Sequence, residues 1–101
     1  MVKMSSGKNK LEEIRNKIDE VDNVIADLLS KRMQYAKQAK DEKVRMNKPV
    51  IDRRREKEVI EKWCERARRS RRSGGYDLSD EMMKKIVELI IEYTIKNEIE
   101  E

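Results

Sequence analysis

The sequence predicts an all-α fold of three helices, one long and two shorter. Punctuating residues are scarce, with three Gly and one Pro in 101 residues, so little interrupts long helical stretches. Charged residues make up 46% and hydrophobic residues 37% of the chain, a mixture that suits helices with one apolar and one solvated face. Apolar residues recur at steps of three and four, the period of a helix face. A chain of this length forms one small domain.

Residues 1–10 (MVKMSSGKNK) are polar, with Ser5, Ser6 and Gly7 in a row, and are expected to be a flexible tail. The first helix is expected over about 11–45. Its residues Leu11, Ile14, Ile18, Val21, Ile25 and Leu28 follow gaps of 3, 4, 3, 4 and 3, the seam of a coiled coil. Met46-Asn47-Lys48-Pro49-Val50 ends it, because the residue before a proline avoids the α region. A second helix is expected over 52–68, with Asp52 as its N-cap and Val59, Ile60, Trp63, Cys64 and Ala67 on one face. The arginine-rich stretch 66–76, closed by Gly74 and Gly75, reads as an exposed basic loop. The third helix is expected over 78–99, opening at Asp77 or Ser79, with Asp80 and Glu81 in the first turn where the helix dipole favours anions.

The first helix also bears on assembly. About 35 residues at 1.5 Å each make a rod roughly 50 Å long, whereas a compact monomer of about 100 residues has a radius of gyration of only ~13 Å. Two shorter helices cannot cover such a seam, so the natural arrangement is an intertwined helical homodimer.

Composition removes several functions. With no His and a single Cys, Cys64, zinc fingers, Ser-His-Asp or Cys-His catalysis and disulfide frameworks are excluded. No apolar run reaches the ~20 residues that span a bilayer and no signal peptide is read, so the expected compartment is the cytoplasm. The net charge of +4, from 25 Lys+Arg against 21 Asp+Glu, suits anionic partners of any size.

The informative residues are those that interrupt apolar stripes. On the first helix the seam passes from Leu28 to Arg32, and Lys43 lies eleven residues further on, almost on the same face. A cation in a seam is costly unless an anion meets it. The stripe of the second helix extends back through Glu56 and Asp52 with Arg55 alongside, and on the third helix Val87, Ile91, Thr94 and Glu98 follow at helical spacing. Three separate structural networks would account for these residues one by one; a shared pocket for a small dianion accounts for them together. Arg15 lies about 100° around the helix from Arg32, so the two converge on one ligand only if Arg15 comes from the other chain of an antiparallel pair.

The order of these polar residues resembles a known family. Ile14-Arg15-Asn16-Lys17-Ile18-Asp19-Glu20-Val21-Asp22, then Leu28-Leu29-Ser30-Lys31-Arg32, then Lys43, then Lys48-Pro49-Val50-Ile51-Asp52-Arg53-Arg54-Arg55-Glu56 look like the all-α chorismate mutases (AroQ class), over nearly all of 11–98. The resemblance implies an isomerase that rearranges chorismate to prephenate in aromatic amino-acid biosynthesis, with neither metal nor cofactor. It implies that Arg32 and the partner's Arg15 bind the two carboxylates and that Lys43 donates to the breaking ether oxygen. Glu56, with the backbone around Asp52, would hold the ring hydroxyl, and Arg55 would reinforce the carboxylate side. Thr94 stands where the family often has Ser, and Glu98 where bacterial members typically have Gln as a second donor to the ether oxygen. Glu98 donates only when protonated, so activity is expected to favour mildly acidic buffer.

Two rivals remain at this level. An isochorismate-pyruvate lyase shares the fold and its cationic pocket. A nucleic-acid-binding helical dimer would use Arg66, Arg68, Arg69, Arg71 and Arg72, although no aromatic residue is interleaved among them.

Overall fold

A computed structural model describes residues 7–72, 74 and 78–100. They form three helices, α1 (Gly7–Arg45), α2 (Arg53–Arg72) and α3 (Asp80–Glu100), and no strand occurs among the described residues. None of these helices is long and apolar enough to cross a membrane. The chain divides into two units, Met1–Tyr35 and Ala36–Glu101.

In the first unit α1 begins earlier than expected. Residues 7–10, read as tail, are helical, because Lys8-Asn9-Lys10 holds no breaker and adding a turn to a formed helix is far easier than nucleating one. Residues 1–6 of the expected tail lie outside the described residues. The seam is laid out as its spacing implies, and it is exposed, from 44% at Leu11 to 57% at Leu28.

In the second unit α2 packs against α3. Val59 and Ala67 of α2 and Val87 and Ile90 of α3 are buried, while Ile60, Trp63 and Cys64 flank them half-buried. Both helix starts are capped by side chains, as Asx and Ser residues do for orphan N–H groups. The Arg55 N–H donates to Asp52 Oδ1 at 3.1 Å, and the Met82 N–H donates to Ser79 Oγ at 3.1 Å. Ser79 is thus the cap of α3; Asp77, the other candidate, lies outside the described residues.

The basic loop requires correction. Arg66, Arg68, Arg69, Arg71 and Arg72 belong to α2, which runs four residues past its expected end at 68. The reason is the acids one and two turns earlier. Arg68 pairs with Glu61 at 3.0 Å and Glu65 at 3.1 Å, and Glu65 also meets Arg69 at 3.5 Å and Arg72 at 3.3 Å. Helix-spaced opposite charges favour continuation, as do cations in a last turn. The chain turns at Gly74, whose φ of 81° is open to glycine at no steric cost. Residues 73, 75 and 76 of the expected loop lie outside the described residues.

The same arginines reach the start of α3. Asp80 accepts from Arg71 at 3.0 Å and from Arg68 at 3.5 Å, and Arg71 also donates to the Leu78 carbonyl. Hydrogen bonding from Arg71, reinforced by Arg68, holds the Asp80 carboxyl below the usual carboxylate range. Arg68 and then Arg72 do the same for Glu65. Carboxyls depressed in this way stabilise the fold above their ordinary pKa, and the contribution disappears as pH falls through the folded value. Asp80→Asn is therefore expected to lower the melting temperature at neutral pH and low salt, with a gap that narrows in concentrated salt. The parent should lose more stability than the variant on acidification below about pH 4. Melting curves across salt and pH check this, and identical curves for both proteins would refute the clasp.

Candidate active site

The site is built around the end of α1. Asn47 has a φ of 59°, the left-handed conformation that Asn tolerates better than other side-chain-bearing residues. The Lys48 N–H donates to the Lys43 carbonyl at 2.8 Å and the Asn47 N–H to the Val44 carbonyl at 3.1 Å, a Schellman closure of the helix. The chain folds back so that Lys43 Nζ donates to the Val50 carbonyl at 2.8 Å. A cleft of about 320 Å³ results, lined by Lys43, Lys48, Pro49, Ile51, Asp52 and Arg53. Three cations face one carboxylate here, and that carboxylate already accepts from the α2 backbone. The cleft therefore presents positive charge.

A second cleft of about 470 Å³ lies between α2 and α3, with Glu56 and Arg53 beside Ile60, Ile91 and Ile95. Arg53 lines both clefts. Its Nη1 donates to Glu56 Oε1 at 3.0 Å, and the Glu56 side chain is only 20% exposed.

The sequence-derived site residues divide as follows. Lys43 and Asp52 share the first cleft, and Glu56 stands in the second. Thr94 and Glu98 are half-buried one turn apart on α3 and line neither cleft; the Thr94 hydroxyl donates to the Ile90 carbonyl at 2.7 Å. Arg55 lies 3.6 Å from Glu58 on the exposed side of α2, so it is held by a neighbouring acid rather than turned to either cleft. Arg15 and Arg32 belong to the first unit. Arg32 is half-buried, and Arg15 is exposed beside Glu12 at 3.9 Å. Sequence reasoning assigned no role to Lys48 and Arg53, although basic residues on both sides of Pro49 were the available signal. The arginines of the nucleic-acid reading, by contrast, are largely engaged: Arg68, Arg69, Arg71 and Arg72 all face carboxylates.

The family described as chorismate mutase type II matches residues 14–99 of the chain. A chorismate mutase of Methanocaldococcus jannaschii is 43% identical over 58 residues, which cover 54% of this chain and 59% of that protein. The match thus spans a little under two thirds of the relative's length. No solved structure matches the chain.

The geometry around Asn47 gives a direct expectation. Asn47→Val places a β-branched residue in the left-handed region and should cost about 1–2 kcal/mol, whereas Asn47→Gly should be neutral or slightly stabilising. Urea unfolding of the three proteins checks this, and a Val variant as stable as the parent would show that the turn does not constrain the end of α1.

Proposed function

The chain belongs to the chorismate mutase type II family, and from that premise we propose that it catalyses the Claisen rearrangement of chorismate to prephenate in the cytoplasm. The reaction is unimolecular and uses no nucleophile and no proton shuttle. It needs a compact substrate conformer and donors where negative charge grows on the ether oxygen. The observation that carries the reading is the cationic cleft in which the Val50 carbonyl restrains the Lys43 ammonium. Two of the ammonium's three N–H donors remain for a ligand.

In this reading Lys43 donates to the breaking ether oxygen, and protonated Glu98 is the second donor. Arg32 binds one substrate carboxylate with its guanidinium fork, and Arg15 from a second copy binds the other. Glu56 accepts from the ring hydroxyl, with the backbone at Asp52 alongside. Thr94 contributes a hydroxyl near a carboxylate by rotating away from Ile90, and Arg55 reinforces that side by exchanging Glu58 for substrate. The intertwined homodimer is part of the proposal. It is supported by the exposed seam from Leu11 to Leu28 and by the small core, in which only Val59, Ala67, Val87 and Ile90 are buried among the described residues. A second copy laid along α1 would remove the seam from water, at about 25 cal/mol per Å² of apolar surface.

Two measurements test this. Addition of chorismate should give steady loss of its absorbance, while isochorismate should not turn over. Lys43→Ala should lower kcat by on the order of 10²-fold with a smaller change in KM, because its target oxygen gains charge only as the bond breaks. A parent inert toward chorismate would overturn the reading, and an effect confined to KM would reduce Lys43 to a ground-state contact. Separately, mixing inactive Arg15→Ala and Arg32→Ala chains should restore part of the activity, since one site of the heterodimer receives both arginines. No recovery after verified subunit exchange would refute the shared site.

A further inference from the structure

Glu56 sits in the first turn of α2 with one side-chain partner among the described residues, Arg53, which engages Oε1 at 3.0 Å. The two residues are three apart, on one face of the helix. Arg53 opens α2 and is shared by the two clefts, lining one with Lys43 and the other with Glu56. A glutamate left to itself keeps several rotamers, and ordering it on binding costs free energy. A guanidinium on Oε1 removes part of that freedom beforehand and leaves Oε2 to accept. We propose that Arg53 is a positioning residue, which holds the Glu56 carboxylate so that Oε2 receives the ring hydroxyl of the substrate.

This inference rests on the mutase reading, in which Glu56 recognises that hydroxyl. Arg53 then acts through Glu56 and not on the substrate carboxylates, which separates it from the cations that bind charge. Because the hydroxyl is present in ground and transition states alike, the contribution belongs to KM more than to kcat. The Arg53 side chain is 72% exposed, so the effect is modest. It falls in the roughly two- to fivefold range of surface ion pairs.

The experiment compares chorismate with its analogue lacking the ring hydroxyl, for the parent, Arg53→Met, Arg53→Lys, Glu56→Gln and the Arg53→Met/Glu56→Gln double variant. Arg53→Met should raise KM for chorismate roughly two- to fivefold more than for the analogue, with kcat nearly unchanged. Arg53→Lys should recover part of that difference, and the double variant should be no worse than Glu56→Gln alone. Equal losses on both substrates, or a full additional loss in the double variant, would make Arg53 a plain surface charge and overturn the proposal. If Glu56→Gln itself treats the two substrates alike, the role read for Glu56 fails and takes the Arg53 inference with it. A parent that turns over neither substrate would refute the mutase reading at the outset.

Discussion

The arrangement of charge at the end of α1 depends on one backbone conformation, the left-handed turn at Asn47. Had α1 continued, Val50 would lie roughly 10 Å further along its axis than Lys43. Instead the chain reverses and the Val50 carbonyl meets the ammonium at 2.8 Å. Pro49 alone would stop the helix but would not choose the direction of the next segment; the Schellman bonds to Lys43 and Val44 do that. Two residues beyond Val50, Asp52 caps α2, so one turn ends a helix, orients a lysine and delivers the start of the next helix. Lys43, Lys48 and Arg53 are thereby gathered around one cleft, against their mutual repulsion. The Val50 carbonyl and the Asp52 carboxylate are the polar groups that moderate it.

α2 ends in the sense that its dipole favours, with Arg69, Arg71 and Arg72 in the last turn, whereas its first turn sets Glu56 among Arg53, Arg54 and Arg55. The two ends do different work. At the N-terminal end Arg53 and Glu56 line clefts while Arg54 and Arg55 meet Glu58; at the C-terminal end the charges knit α2 to itself through Glu61 and Glu65 and to α3 through Asp80. Each of these exposed pairs is worth little alone. Arg68 nevertheless meets three acids, and such a network restrains the α2–α3 junction beyond a core in which Val59, Ala67, Val87 and Ile90 are the buried residues described.

Much of the fold was legible because it rested on local rules. The seam from Leu11 to Leu28, the caps Asp52 and Ser79, the apolar face around Val59 and Ala67 and the stop before Pro49 are each readable within a few residues. The arginine run was misread as a loop because Gly74 and Gly75 close it, and the pairing with Glu61 and Glu65 becomes visible only when the preceding turns are laid on the same helix. Asn47 was visible as part of a breaker, but its φ was not, because several residues around a proline could have taken the turn. At the site, the shared lining of one cleft by Lys43 and Asp52 followed from the polar interruptions of the apolar stripes. The outward pairing of Arg55 with Glu58 did not, since both faces of α2 offer it an acid within one turn. Arg53 was passed over because nothing in its spacing separates a cleft residue from its neighbours Arg54 and Arg55.

Assembly and chemistry meet at one requirement. Arg15 and Arg32 lie in the unit whose apolar seam is exposed, and the other proposed site residues lie in the unit that has its own core. A guanidinium in water attracts a carboxylate 4 Å away by about 1 kcal/mol, and by about four times as much where the effective dielectric falls to 20. Cations spread along an exposed helix are thus poor instruments for a reaction whose barrier is lowered by electrostatic preorganisation. In the proposed dimer, the contact that removes the seam from water also displaces water from around the arginines and brings the second one to the substrate. A rearrangement that asks for no nucleophile and no proton transfer depends all the more on the field in which its donors act. In that proposal the apolar seam serves the reaction together with the charges, because covering it lowers the dielectric in which they act.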